Sequence, residues 1–195
     1  MNMARTAQVA HKKLKTKNEK LLQERGTRNE EPGFAGISFD ELLSYAEGEN
    51  RRWRAWFKQH PEALAVEAGI ADAQNVYELL MHVFSVQMRF AELSQGSQMT
   101  PASAIRAGDI EQAFRLADQA TAKLRALLAE GNKQGFEQVL NFPDGETARS
   151  ATRRKLIAHA ILHGVRHWAQ IATALRKAGY PQTWPHDFLY SEAMK

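Results

Sequence analysis

Three histidines stand at a strict four-residue interval: His159, His163 and His167. On a helix, side chains at i and i+4 lie one above the other. Two such imidazoles can reach a single metal ion, as in HxxxH zinc sites. The same spacing also suits amphipathic residues whose rings reach water from the edge of an apolar face. At roughly 100° per residue, the apolar face of this stretch runs through Ala160, Gly164, Val165, Trp168, Ile171 and Leu175. His163 and His167 fall at its margin, sheltered enough to be held and open enough to admit a substrate. Two imidazoles do not complete a site. His82, at the margin of another apolar stripe beside Val86 and Leu93, is a candidate third ligand by type and position. Spacing alone leaves open whether the two stretches are neighbours.

The other histidines carry less. His11, His60 and His186 read as solvated polar side chains. His159 reads as exposed or capping, with a supporting donor or an alternative ligand as the other reading. Gln170, one turn after His167, could support that ring from behind. Glu49 and Asn50 interrupt an apolar stripe, and read as a solvated face rather than as pocket lining. No general base can be assigned.

Composition narrows the chemistry. The chain of 195 residues has no cysteine, which excludes disulfides, cysteine nucleophiles and sulfur-ligated zinc. Any metal must be held by His, Asp or Glu. The 44% apolar and 25% charged content is that of a globular chain of about one domain. No apolar run approaches the roughly 18–20 residues needed to span a bilayer. The net charge of +4 would suggest a nucleic-acid partner, but it is unevenly placed. Residues 1–36 carry eight Lys/Arg against four Asp/Glu, and residues 37–195 carry eighteen of each. The excess belongs to a basic leader, expected to be poorly ordered, and argues against nucleic-acid binding by the body. No apolar stretch follows these charges as in an export signal. A cytoplasmic location without a membrane partner is expected.

Four amphipathic stretches must position the histidines. Ser38 with Glu41 forms a capping-box pattern ahead of Phe39, Leu42, Leu43, Ala46, Trp53, Trp56 and Phe57, predicting helix 1 over 38–59. A second stripe from Val76 to Leu93 predicts a helix over 72–95. A third, from Ile110 to Leu128 with Asp109 as N-cap, predicts one over 109–130. The fourth is long, 148–178, and ends on Arg176, Lys177, Gly179 and Pro181. A small hairpin could lie between Phe136 and Phe142, with Pro143-Asp144-Gly145 as a turn. Four helices with one apolar face each bury those faces against one another, so the fold class is all-α, a four-helix bundle over 37–195. Trp and Phe on the surface of helix 1 could support a homodimer.

The run from Leu156 to Ile171, LIAHAILHGVRHWAQI, resembles the last bundle helix of the DinB/YfiT-like superfamily, which reads L-x-H-V-x-N-H-G-x-H-H-R-G-Q-I. Leu175 to Pro181 and Asp187 to Tyr190 are similar to the segment that follows it. Glu78 to Val83 is similar to the helix that supplies a first histidine. The resemblance spans about residues 38–190. It implies a four-helix bundle with three His ligands for zinc or nickel, which map onto His82, His163 and His167. The usual His-His doublet is here Arg166-His167, and the following Arg-Gly is Trp168-Ala169.

Three neutral imidazoles leave a divalent ion an open position, where a water or an incoming thiol is acidified. The resemblance implies the thiol route: a transferase that joins a low-molecular-weight thiol cosubstrate to electrophilic small molecules. A metal-dependent hydrolase and a non-catalytic metal-binding or dimerisation module are the alternatives.

Overall fold

The computed structural model describes residues 36–70, 72–130, 135–144 and 147–193. The chain divides at Ile37, and the unit from Ser38 onward holds all the elements below. The expectation for the leader falls on residues outside those described.

Helix α1 (Phe39–Gln59) starts where the sequence says it should. Glu41 N–H donates to Ser38 Oγ at 3.2 Å, and Ser38 N–H donates back to the Glu41 carboxylate at 2.7 Å. Two otherwise orphaned backbone donors are thereby satisfied. Pro61, lacking an N–H, then opens a short 3₁₀ turn, Pro61–Ala65. A hairpin follows, of β1 (Glu67–Ile70) and β2 (Ala73–Asn75), which pairs Glu67 with Asn75 and Ile70 with Ala73. Asp72 turns it at φ +65°, a left-handed conformation that Asp tolerates better than most residues.

This hairpin consumes the first turn expected of the second helix. Helix α2 is Val76–Ser94, begun by Asn75, whose side chain accepts from Glu78 N–H at 2.9 Å. Helix α3 (Ile110–Ala129) has the expected Asp109 cap, accepting from Gln112 N–H at 2.7 Å. A second hairpin, β3 (Val139–Asp144) with β4 (Thr147–Thr152), is longer than the one expected and takes the first turn of the fourth helix. Helix α4 is Arg153–Lys177. It closes in a Schellman motif: Tyr180 N–H reaches Leu175 C=O at 2.9 Å and Gly179 N–H reaches Arg176 C=O at 3.2 Å. Gly179 sits at φ +87°, where a Cβ would be strained.

The fold is the four-helix bundle that the apolar stripes require. Helix α2 packs along both α3 and α4, and α1 also packs against both, so α1 and α2 face each other across the bundle. Helix α2 can serve two neighbours because it is buried on two sides, through Leu79, Leu80, Val83, Phe84, Met88 and Ala91. One half of the core centres on Trp53, Phe57, Leu80, Phe84, Phe114 and Trp168. The other centres on Leu43, Met88, Leu124, Leu127, Ile157 and Ile161. Trp53 stacks on Trp168 with centroids 5.1 Å apart and planes at 10°. These aromatics correct the expectation of a surface cluster on helix 1: Trp53, Trp56 and Phe57 are all buried, because the helix 1 stripe faces the core. They offer no exposed face for a homodimer.

Candidate metal centre

Helices α2 and α4 bring the three expected histidines together. Gly164 lies against Val83, where a Cβ on Gly164 would stand 3.6 Å from Val83 Cγ1. The residues just before these two, His163 and His82, therefore face each other. His82 Nε2 lies 3.2 Å from His163 Nε2, and His167 Nε2 lies 3.2 Å from the same nitrogen. The three ligand atoms all fall within 4.8 Å of one another, and among the described residues this is the one group of three or more His, Asp or Glu so placed. Nitrogens at about 2.0–2.1 Å from a tetrahedral zinc stand about 3.3 Å apart. Two of the three pairs already have that separation.

The surroundings suit donation of lone pairs. Burial pushes His163 down to about 3, with the neighbouring imidazoles and Arg166 adding to the effect. Burial likewise pushes His167 down to about 4 and lowers His82. All three rings are thus neutral at pH 7, the form that binds metal. A ring that turns Nε2 to an ion carries its proton on Nδ1. The Nδ1 atoms of His163 and His167 are buried without a hydrogen-bond partner, and so is Gln170 Oε1. Gln170, three residues beyond His167, favours the protonated ring of His167, so its carbonyl oxygen is the acceptor on hand for that Nδ1–H. The residues present fit a divalent ion with nitrogen ligands.

One side of the group is open to further ligands. His82 and His163 are half-buried. Further along α4 from His167, a cavity of about 620 Å³ lies between β1 and α4, walled by Val66, Ala68, Ile70, Ala169, Gln170 and Thr173 and by none of the three histidines. The hairpin turn carries Asp72 into electrostatic range of His82. Arg166 Nη2 stands 3.4 Å from His167 Nε2.

The profile of the DinB family matches residues 27–194. The chain belongs to the DinB family. A solved DinB-like protein from Bacillus subtilis has the same fold, at a TM-score of 0.54 and 14% identity, over 75% of this chain and 97% of that one. No curated protein matches. No described helix of this DinB-family chain is long and apolar enough to cross a membrane.

Several polar residues sit elsewhere than their sequence context suggests. Glu49, expected on a solvated face, is 1% exposed. Its carboxylate accepts from His186 Nδ1 at 2.7 Å and from Arg52 at 3.1 Å. His186, expected in solvent, stacks on Trp53 with planes at 14°, and its backbone carbonyl accepts from Tyr45 Oη–H. The segment after α4 thus lies against α1, and a carboxylate buried beneath it needs a cationic partner. Asn50 is also buried, and lines a cleft of about 290 Å³ with Arg54, Phe114 and Arg125. His159, by contrast, is exposed as expected, with its ring 4.8 Å from Phe90 and 5.2 Å from His163. His60 packs against Trp56 at 4.5 Å. His11 lies outside the described residues. The signal for Glu49 was present in the sequence as an acid within an apolar stripe, but its partner lies 137 residues away and no local pattern points to it.

Proposed function

We propose that this DinB-family chain binds a divalent ion, zinc or nickel, through His82, His163 and His167. We further propose that it is an enzyme, a transferase joining an external low-molecular-weight thiol to an electrophilic small molecule. The observation that carries the reading is the convergence of three neutral imidazole nitrogens within 4.8 Å of one another. Three protein ligands leave a coordination position free, unlike the four of a closed structural site.

When bound, the ion would supply Lewis acidity that lowers the pKa of a coordinated thiol. The chain's own residues do the rest. His82 and His163 hold α2 against α4 at the site. Gln170 would accept from His167 Nδ1–H and so orient that ring toward the ion. Val66, Ala68 and Ile70 give one wall of the cavity an apolar surface. The thiol must come from outside, because the chain has no cysteine. One feature favours a thiol over water as nucleophile. No described carboxylate hydrogen-bonds or ion-pairs with the three histidines, so water would lack a general base in contact with the site. A thiol, more acidic than water, would release its proton to solvent at the ion and would need no such base.

The test is turnover of a chlorinated aromatic or an epoxide by metal-loaded, untagged protein, with and without added thiols. A transferase shows conjugate only with thiol, and His163→Ala abolishes it. Thiol-independent product would make the chain a hydrolase. No product from any pair, with metal bound, would make it a metal-binding module.

A further inference from the structure

The three histidines are not the only polar groups at the centre. Arg166, adjacent in sequence to His167, extends its guanidinium back over the site, with Nη2 3.4 Å from His167 Nε2. That nitrogen is also the one 3.2 Å from His163 Nε2, so the guanidinium stands beside one of the three ligand atoms. Its charge is felt by all of them, and by His159. Arg166 is exposed, and no ion pair ties it to a carboxylate among the described residues. Arg54, Arg125 and Arg154, by contrast, all have acidic partners.

An unpaired arginine beside a cation site is electrostatically costly. Three neutral imidazoles bring no negative charge, and Asp72 is the one acid acting on any of them, on His82. A divalent ion here would face a guanidinium with little to offset their repulsion. The combination becomes favourable when a third party brings negative charge to both. Guanidinium is suited to that task, since its planar fork of N–H donors matches a carboxylate or phosphate in two parallel hydrogen bonds.

We propose that the centre takes an anionic substrate, whose carboxylate or phosphonate group is shared between the ion held by the three histidines and the guanidinium of Arg166. This rests on the metal-binding reading and adds the substrate class to it. Arg166 is then the specificity-determining residue. It selects small organic acids over neutral electrophiles of the same shape, and sets which end of the molecule lies at the ion.

The test uses the full chain, untagged and loaded with cobalt(II), whose visible absorption reports a change of ligand. Benzoate and methylphosphonate are titrated into wild type, Arg166→Gln and Arg166→Lys. Wild type is expected to bind at least one probe saturably, with the dissociation constant rising at least tenfold in Arg166→Gln. Arg166→Lys, which keeps the charge and loses the fork, should fall between them. In anion-free buffer, Arg166→Gln should hold cobalt more tightly than wild type, since a like charge is gone. Equal probe affinity in wild type and Arg166→Gln overturns the proposal, as does a wild type that binds cobalt and neither probe. Failure to bind cobalt before any anion is added overturns the metal-binding reading itself. The two failures are therefore distinguishable.

Discussion

Acidifying the metal-free protein from pH 7 to pH 5 should destabilise it, through two histidines. Unfolded, an imidazole titrates near 6.5; folded, burial holds His163 at about 3 and His167 at about 4. Both folded values lie below the unfolded one, so below pH 6.5 the unfolded chain binds more protons. The stabilising contribution is therefore complete above about pH 6.5 and is lost as pH falls toward the folded values. At pH 5 the solution is about 1.5 units below the unfolded value of each ring and above both folded values. At 1.36 kcal/mol per unit this is about 2 kcal/mol each, or about 4 kcal/mol for the pair. Water at the open side of the site screens part of this, which leaves about 2 kcal/mol. Urea unfolding at pH 7, 6 and 5 in the presence of a chelator measures it. The double variant His163→Gln, His167→Gln isolates it, since other titrating groups remain. The reasoning is refuted if wild type is as stable at pH 5 as at pH 7, or if the double variant loses as much stability as wild type.

Three further outcomes follow from particular contacts. Gln170→Leu removes the acceptor available to His167 Nδ1–H and should weaken metal binding about tenfold, read by competition with a chromophoric chelator; unchanged affinity would show that Gln170 gives the ring no support. Gly164→Ala places a methyl at ordinary contact distance from Val83 within a helix. It should raise stability by about 0.5–1 kcal/mol, and a loss in urea unfolding would mean that α2 and α4 are closer than 3.6 Å implies. Trp53→Ala empties the centre of a stack formed with Trp168 and His186. It should cost about 3–5 kcal/mol in the same assay; a cost under about 1 kcal/mol would mean that the stack does not hold the core.

Much of this fold is legible in the sequence because helix signals are local. Ser38 with Glu41, Asp109, and Gly179 each act within one turn of themselves, and each sets the helix end it was expected to set. The starts of α2 and α4 come later than expected because strand pairing overrides helical periodicity at residues 73–75 and 147–152. Pairing depends on a partner strand, which no single-segment pattern shows. Helix packing likewise shows in the face of each helix but not in the choice of neighbour. His82 could be picked as a ligand candidate by type and margin position, yet it is the packing of α2 on α4, with Val83 against Gly164, that brings it to His163. The Glu49–His186 pair and the cavity beside β1 were illegible for the same reason, since both join segments distant in the chain.

The central claim is that His82, His163 and His167 hold one divalent ion. Elemental analysis of untagged protein, reconstituted with zinc or nickel and freed of excess, tests it most directly beside His82→Ala and His163→Ala. The account predicts about one ion per chain in wild type and a large loss in each variant, with both variants still helical by circular dichroism. Negligible metal in wild type, or equal metal in wild type and both variants, would contradict it.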